Sequence, residues 1–297
     1  MSQSDAAEDP FEETRMTLGE HLEELRTRLF RSTVVLAVVF VGAWIFRAEL
    51  ADLFFQPYRK ATAQLEVSLV EKLQELVEAG EVPREKAFVD EGMSELTPEY
   101  QPKDRPKGDS ASAGFFFYMK ICGYFALFVG GPYLIFQLWQ FVAAGLYRHE
   151  RKTVMRFFPF SAALFVTGVV FGFLLMVPYA LFFLADISIL QIEYYETIDN
   201  YTSFLLSLTL ALGLVFQLPM LMIALSSVGV VEPSLYSRYR PHFVVGALIF
   251  AAVLTPPDPF TQMMMGVPMV VLYEVGAIVA RMTWRQRSHP ASGEEPS

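Results

Sequence analysis

Two short polar segments carry carboxylates that could bind a cationic ligand. HLEELRTRL at 21–29 places Glu24 among arginines, and RHERK at 148–152 does the same for Glu150. A carboxylate forms strong, charge-assisted hydrogen bonds with cationic groups, so both segments suit recognition of a positively charged peptide. A simpler interpretation is a solvated helix face on which Glu24 pairs with Arg28 at i, i+4. Spacing alone leaves both interpretations open.

Catalytic chemistry has no comparable signal. The HE pair at 149–150 could begin an HExxH zinc motif, but position 153 is Thr153 rather than histidine. The single cysteine, Cys122, excludes an intramolecular disulfide. The sequence contains neither a Walker A phosphate loop nor a G-x-S-x-G elbow. We therefore expect no enzyme activity, no cofactor and no metal, and the lack of a basic stripe argues against a nucleic-acid partner.

Four polar side chains lie within or near apolar runs. These are Gln217, Asp258, Gln262 and Glu274. Polar groups in lipid are costly and usually face a partner helix or a cavity. Gln217 fits an interhelical hydrogen bond or a functional role, Asp258 fits a cap near Thr261 or a functional role, and Glu274 must be neutral or paired. A proton-coupled secondary transporter of a small solute, with Gln217, Asp258 and Glu274 as its relay, remains an alternative.

The elements that must position these residues are membrane helices. Hydrophobic residues make up 53% of the 297-residue chain and are concentrated in long runs. A helix needs about 20 residues to cross roughly 30 Å of hydrocarbon. We predict an all-α integral membrane protein with six spans, kinked by internal prolines into a concave bundle, in which the last two spans are short. The spans are expected at 29–46, 115–143, 157–185, 201–231, 242–255 and 261–281.

Polar segments flank these spans. A leucine stripe in 18–29 predicts an N-terminal amphipathic helix on the membrane interface, before the first span. The external loop 47–114 contains an enlarged segment, about 61–112, in which 61–79 has helical periodicity. The expected domains are an acidic disordered tail at 1–15, a membrane domain at 16–284 and a C-terminal cytoplasmic tail at 285–297.

The short connections differ in charge. Segments 186–200 and 256–260 contain no Lys or Arg, whereas the alternate short connections, the region before the first span and the region after the last span contain several arginines. The positive-inside rule then places both termini in the cytoplasm, and a loop as long as 47–114 translocates largely regardless of its charge. We predict that Glu24 and Glu150 share the cytoplasmic face.

Four motifs carry a family resemblance: HLEELRTRL at 21–29, FVAAGLYRHERK at 141–152, FQLP at 216–219 and TPPDPFTQ at 255–262. In this order they resemble TatC, the core receptor of the twin-arginine protein translocase. The resemblance implies export of folded proteins across the bacterial inner membrane, driven by the proton-motive force. It also implies the single-span partners TatA and TatB, self-association within a Tat complex, and contact with membrane lipid.

The resemblance further implies roles for individual residues. Two carboxylates and their neighbours would bind the Arg-Arg signal peptide, two polar residues would dock partner helices, and three further positions are of functional interest. The signal-peptide residues are Glu24, Glu150, Leu25, Arg26 and Phe141. The docking residues are Thr255 and Gln262. The further positions are Pro57, Gln217 and Asp258. Glu274 remains a candidate from its position in an apolar run.

Overall fold

The structure, a computed structural model, describes residues 18–80, 88–89, 92–93, 106, 108, 110–145, 151, 155–188, 197–255 and 258–288. Within these residues the regular elements are helices and one antiparallel strand pair, joined by short turns. The strands are β1 (Phe88–Val89) and β2 (Gly92–Met93). The helices are α1 (Leu18–Ile45), α2 (Arg47–Phe54), α3 (Gln56–Glu78), α4 (Ala113–Ala144), α5 (Phe158–Phe171), α6 (Val177–Ser188), α7 (Ile198–Val215), α8 (Leu218–Val228), α9 (Pro233–Arg238), α10 (Arg240–Leu254) and α11 (Pro259–Ser288), with a π-helical turn (Gly172–Met176) joining α5 to α6.

Five helical stretches of the described chain are long and apolar enough to cross a membrane: Leu22–Ile45, Ala113–Ala144, Phe158–Ile187, Ile198–Val228 and Pro259–Trp284. The apolar helix α10 has 15 residues, which at 1.5 Å per residue is about 22 Å and less than the hydrocarbon thickness. The fold is therefore that of an all-helical membrane protein. The expected fifth span corresponds to α10, a helix too short to span on length alone.

Two details of the expected architecture are wrong. The leucine stripe does not form a separate interfacial helix, because α1 runs without a break from Leu18 to Ile45. No glycine or proline occurs between Glu20 and Val41, so nothing in the sequence interrupts the helix. The last helix, α11, is also not short, since it has 30 residues and 26 of them form an apolar stretch of spanning length.

Prolines mark where helices start and where spans are interrupted. The missing N–H of proline is harmless in the first helical turn, where that group would be unpaired in any case. The apolar stretch Ile198–Val228 breaks at Phe216 and Gln217 between α7 and α8. First-turn prolines are Pro57 in α3, Pro159 in α5, Pro219 in α8 and Pro241 in α10, whereas Pro132 and Pro268 lie inside α4 and α11.

The core joins the spans to the helices that follow the first span. The hydroxyl of Tyr201 in α7 donates to the carbonyl of Phe54 at the end of α2. Phe55 stacks on Phe117 of α4 with ring centroids 5.1 Å apart. Because a buried tyrosine hydroxyl needs a partner, the Tyr201 bond fixes α2 against the bundle.

Helix α3 covers all but the last residue of the expected 61–79 helix and starts earlier, at Gln56. Leu65 and Leu69 are fully buried, since α3 packs along α6. Lys72 Nζ lies 2.8 Å from Asp186 Oδ1, and Ser68 donates to the same carboxylate. The start of the enlarged loop is therefore packed against the third span.

Helix packing places α1 along α4. Helix α4 also contacts α5 and α7, while α11 packs on α8 and α10. The seam between α1 and α4 brings together the most N-terminal predicted site residues and the end of the second span.

Candidate functional site

A buried polar cluster lies in the seam between α1 and α4, and its centre is Arg28. Its Nη2 donates to Glu24 Oε1, and its Nη1 donates to the side-chain oxygens of Gln140 and, at 3.3 Å, Gln137. The Arg28 side chain is 8% exposed, whereas that of Glu24 is 31% exposed. The ion pair therefore has a buried cation and an accessible anion.

Helix geometry lines up this cluster. Glu24, Arg28 and Ser32 are spaced by four residues and share one face of α1, and Ser32 Oγ donates to the Arg28 carbonyl at 2.9 Å. On α4, Gln137 Nε2 donates to the Tyr133 hydroxyl at 2.5 Å. The two polar faces pack on each other, so each helix supplies hydrogen-bond partners that lipid cannot provide.

The chemistry of the cluster is recognition of charge. A buried guanidinium is stabilised by one carboxylate and two amide oxygens, and a carboxylate retains acceptor sites for more than one donor. Its described members contain no nucleophile with an adjacent base, as covalent catalysis would require. The accessible side of Glu24 retains acceptor sites for a further donor.

The predicted neighbours of Glu24 lie around this cluster. Leu25 is exposed, and Arg26 extends into solvent, where its Nη1 lies 3.5 Å from Glu23 Oε1. Phe141 is half-buried and directly follows Gln140 on α4. Leu25, Arg26 and Phe141 thus lie on the two elements that hold Arg28. Glu150 lies outside the described residues.

Gln217 forms an interhelical hydrogen bond, one of the two roles expected for it. Its Nε2 donates to the Ser161 carbonyl on α5 at 3.0 Å, and Ser161 Oγ donates back to its Oε1. This reciprocal pair joins the break between α7 and α8 to the start of α5.

The turn between α10 and α11 contains three predicted residues. Asp258 caps α11, accepting from Thr261 N at 2.7 Å and from the Thr261 hydroxyl. Gln262 Nε2 donates to the Leu248 carbonyl on α10 at 3.0 Å. Thr255 is buried, and its hydroxyl donates to the Ala251 carbonyl at 3.0 Å. The Gln262 bond connects the two helices, whereas Thr255 and Asp258 bond within the end of α10 and the start of α11.

Glu274 and Pro57 are not among the described members of the Arg28 cluster. Glu274 Oε2 is 2.5 Å from Arg240 Nη2, which supplies the pairing that an acidic residue in an apolar helix requires. Pro57 is buried in the first turn of α3. The relay expected of a transporter is not assembled, because Gln217, Asp258 and Glu274 each bond to a different partner.

Sequence reasoning missed Gln137 and Gln140. Both lie in an otherwise apolar run, FQLWQF, and their i, i+3 spacing places them on one face of a helix. Polar residues within a membrane helix usually face another helix. That pattern could have predicted a polar seam on α4, although it could not have predicted Arg28 as the partner.

Comparison with known proteins identifies the family. The family model for Sec-independent protein translocase protein (TatC) matches residues 20–268, a range that includes every described member of the Arg28 cluster. The chain belongs to the TatC family. It is accordingly a component of the Sec-independent protein translocase, and a small-solute transporter is not favoured.

Individual relatives agree with this assignment. The TatC protein of Halothiobacillus neapolitanus is 31% identical over 281 residues, covering 94% of this chain and 66% of that protein. The TatC protein of Azotobacter chroococcum is 28% identical over 288 residues, covering 97% of this chain and 98% of that protein. The chain thus spans about two thirds of the first relative and nearly all of the second.

Solved structures share the fold. A crystal structure of the twin arginine translocase receptor TatC matches with a TM-score of 0.63 and 25% identity, covering 89% of this TatC-family chain and 99% of that protein. A second, in the detergent DDM, matches with a TM-score of 0.65 and 24% identity over 88% of this chain. The helical bundle described above is therefore the TatC fold.

Proposed function

We propose that this TatC-family chain is the receptor and scaffold of a twin-arginine translocase, binding Arg-Arg signal peptides on its cytoplasmic face. The observation that carries the proposal is the match to a twin arginine translocase receptor over 89% of the chain. Glu24 adds local support, because its carboxylate is accessible at the α1–α4 seam. A receptor binds and releases its ligand without making or breaking covalent bonds, so in this proposal the chain is not an enzyme.

In this proposal the binding site consists of Glu24 and Glu150, with Leu25, Arg26 and Phe141 beside them. Two signal guanidiniums need two carboxylate acceptors, and such charge-assisted pairs strengthen near a membrane surface, where the dielectric constant falls. The exposed Leu25 offers apolar contact to the hydrophobic stretch that follows the arginines in a signal peptide.

Export of folded proteins then requires partners. TatA and TatB, single-span proteins, would dock along α10 and α11 near Thr255 and Gln262, and several copies of the chain would associate in the active complex. The proton-motive force would drive transport. Pro57, Gln217, Asp258 and Glu274 would maintain the helix starts and contacts on which this docking depends.

The proposed membrane arrangement has six spans, with α10 as the fifth, in the bacterial inner membrane. Both termini would be cytoplasmic, because the arginine-rich connections alternate with connections that have no Lys or Arg. The membrane domain would extend over 16–284 between an acidic tail at 1–15 and a C-terminal tail at 285–297.

The test is photo-crosslinking of an Arg-Arg signal peptide to the full chain in membranes. Glu24→Ala should remove the crosslink while membrane insertion is retained, and Glu150→Ala should do the same. Glu232→Ala is the matched control, because Glu232 is an exposed carboxylate before α9 and forms no side-chain cap hydrogen bond. Unchanged crosslinking in both the Glu24 and Glu150 variants would refute the proposed binding site.

A further inference from the structure

Arg28 is a buried cation that already occupies the carboxylate assigned to the signal peptide. Its Nη2 donates to Glu24 Oε1, while Gln137 and Gln140 on α4 accept from its Nη1. An arginine arriving at the exposed side of Glu24 therefore meets a carboxylate whose charge is already balanced.

We propose that Arg28 is an internal competitor for the signal arginine. It holds Glu24 when no peptide is bound, and the peptide must share that carboxylate or displace Arg28 from it. This inference rests on the proposed role of Glu24 in signal-peptide binding and describes how peptide binding at that same site is regulated.

The partners of Arg28 explain why sharing is unfavourable. Among the described residues of the cluster, Glu24 carries the one negative charge and the two glutamines are neutral. The buried Nε of Arg28 has no hydrogen-bond partner within the described part of the chain. Hydrogen bonds between ionised groups are roughly twice as strong as neutral ones. A guanidinium buried in the seam loses its strongest partner if Glu24 turns outward, and an unpaired buried charge is strongly destabilising. The free energy of the Arg28–Glu24 interaction thus sets a threshold, because an incoming cation must interact with Glu24 more favourably than Arg28 does.

That threshold discriminates between arginine and lysine. A guanidinium presents two parallel donors to a carboxylate, whereas an ammonium is a compact and more strongly hydrated charge. A signal arginine competes with Arg28 by the same chemistry, and a signal lysine competes less well. Arg28 therefore contributes to the preference for arginine without contacting the peptide.

The experiment is a titration of the purified full chain in lipid nanodiscs with a fluorescent Arg-Arg signal peptide and its Lys-Lys counterpart. Arg28→Gln removes the competing charge and retains an amide that can bond to Gln137 and Gln140. It should lower the Kd for the Arg-Arg peptide about tenfold, the effect of one charge-assisted hydrogen bond. The ratio of the Lys-Lys Kd to the Arg-Arg Kd should fall as well.

Two further variants separate competition from damage to the fold. Arg31→Gln makes the same charge change at an exposed position on α1 and should leave both Kd values unchanged. Gln137→Leu removes a neutral acceptor and makes Arg28 depend more on Glu24, so binding should weaken. In an Arg28→Gln background Gln137→Leu should have no effect on binding. Misfolding would not produce the tighter binding expected of Arg28→Gln.

The outcomes distinguish this inference from the function on which it rests. If Arg28→Gln binds the peptide as wild type does, or more weakly, and Glu24→Gln loses binding, then Arg28 does not compete. The proposed receptor site is still supported by that result. Wild-type affinity in the Glu24→Gln variant would contradict both the binding role of Glu24 and the competing role of Arg28. Tighter binding by Arg28→Gln alone, lost again in the Glu24→Gln/Arg28→Gln double variant, supports both.

Discussion

Glu24 forms the ion pair with Arg28 that a spacing of four residues predicts. Such pairs on solvated helices contribute only a few tenths of a kcal/mol, about 0.2–0.5. The pair in this structure is different, because Arg28 is buried and Gln137 and Gln140 complete its contacts. The glutamines are 109 and 112 positions from Arg28 in sequence. Only the packing of α1 on α4 shows that a pair resembling a surface contact belongs to an interhelical network.

Asp258 allows a test that separates a helix cap from a required charge. Asp258→Ala removes the bonds from Thr261 N and its hydroxyl and should cost about 1 kcal/mol, the usual effect of an N-cap. Asp258→Asn keeps an oxygen that can accept from Thr261 N and should retain most of that stability. Thermal unfolding in detergent measures both.

Export of a folded reporter then shows whether Asp258 has another role. If the cap is its whole contribution, Asp258→Asn should export normally and Asp258→Ala should lose export in proportion to its stability. Normal stability of Asp258→Asn combined with failed export would show that the negative charge itself is needed.

Helices α8 and α11 approach each other closely at a glycine. A Cβ added at Gly276 would lie 2.9 Å from the Cα of Pro219 and 2.9 Å from the sulfur of Met222. Small residues at helix contacts in membranes allow this approach, and overpacking costs about 1–3 kcal/mol. Gly276→Ala should therefore lower the unfolding temperature in detergent.

Gly246 on α10 provides the matched control. A Cβ added there meets nothing within 4 Å, so Gly246→Ala should be neutral or stabilise the helix by up to about 1 kcal/mol, since alanine is the better helix former. Equal destabilisation by the two variants would contradict the close packing of α8 on α11.

Hydropathy predicted the helices well where prolines mark their boundaries. Prolines mark the starts of α3, α8 and α10, and the spanning helices overlap the expected spans. Hydropathy failed at α1, because a leucine stripe has the same periodicity in a helix on the membrane and in a helix that enters it. It also missed how α3 packs on α6, since the pairing of Lys72 with Asp186 joins residues that are distant in sequence.

The orientation of the whole molecule is a prediction from loop charge. In a Cys122→Ala background, Ser110→Cys and Gly19→Cys introduce single thiols at exposed positions near the starts of α4 and α1. A membrane-impermeant maleimide added to intact cells should label Ser110→Cys. It should label Gly19→Cys only after the membrane is permeabilised. The reverse pattern would contradict cytoplasmic termini.

The proposed receptor function depends on recognition of paired arginines by paired carboxylates. Saturable binding of Arg-Arg and Lys-Lys signal peptides to the purified chain in nanodiscs measures it most directly. We expect the Lys-Lys peptide to bind about tenfold or more weakly, because each guanidinium adds a charge-assisted bond that an ammonium forms less well. That difference should vanish in the Glu24→Gln/Glu150→Gln double variant. Equal affinity for the two peptides, or a preference that survives in the double variant, would contradict the account.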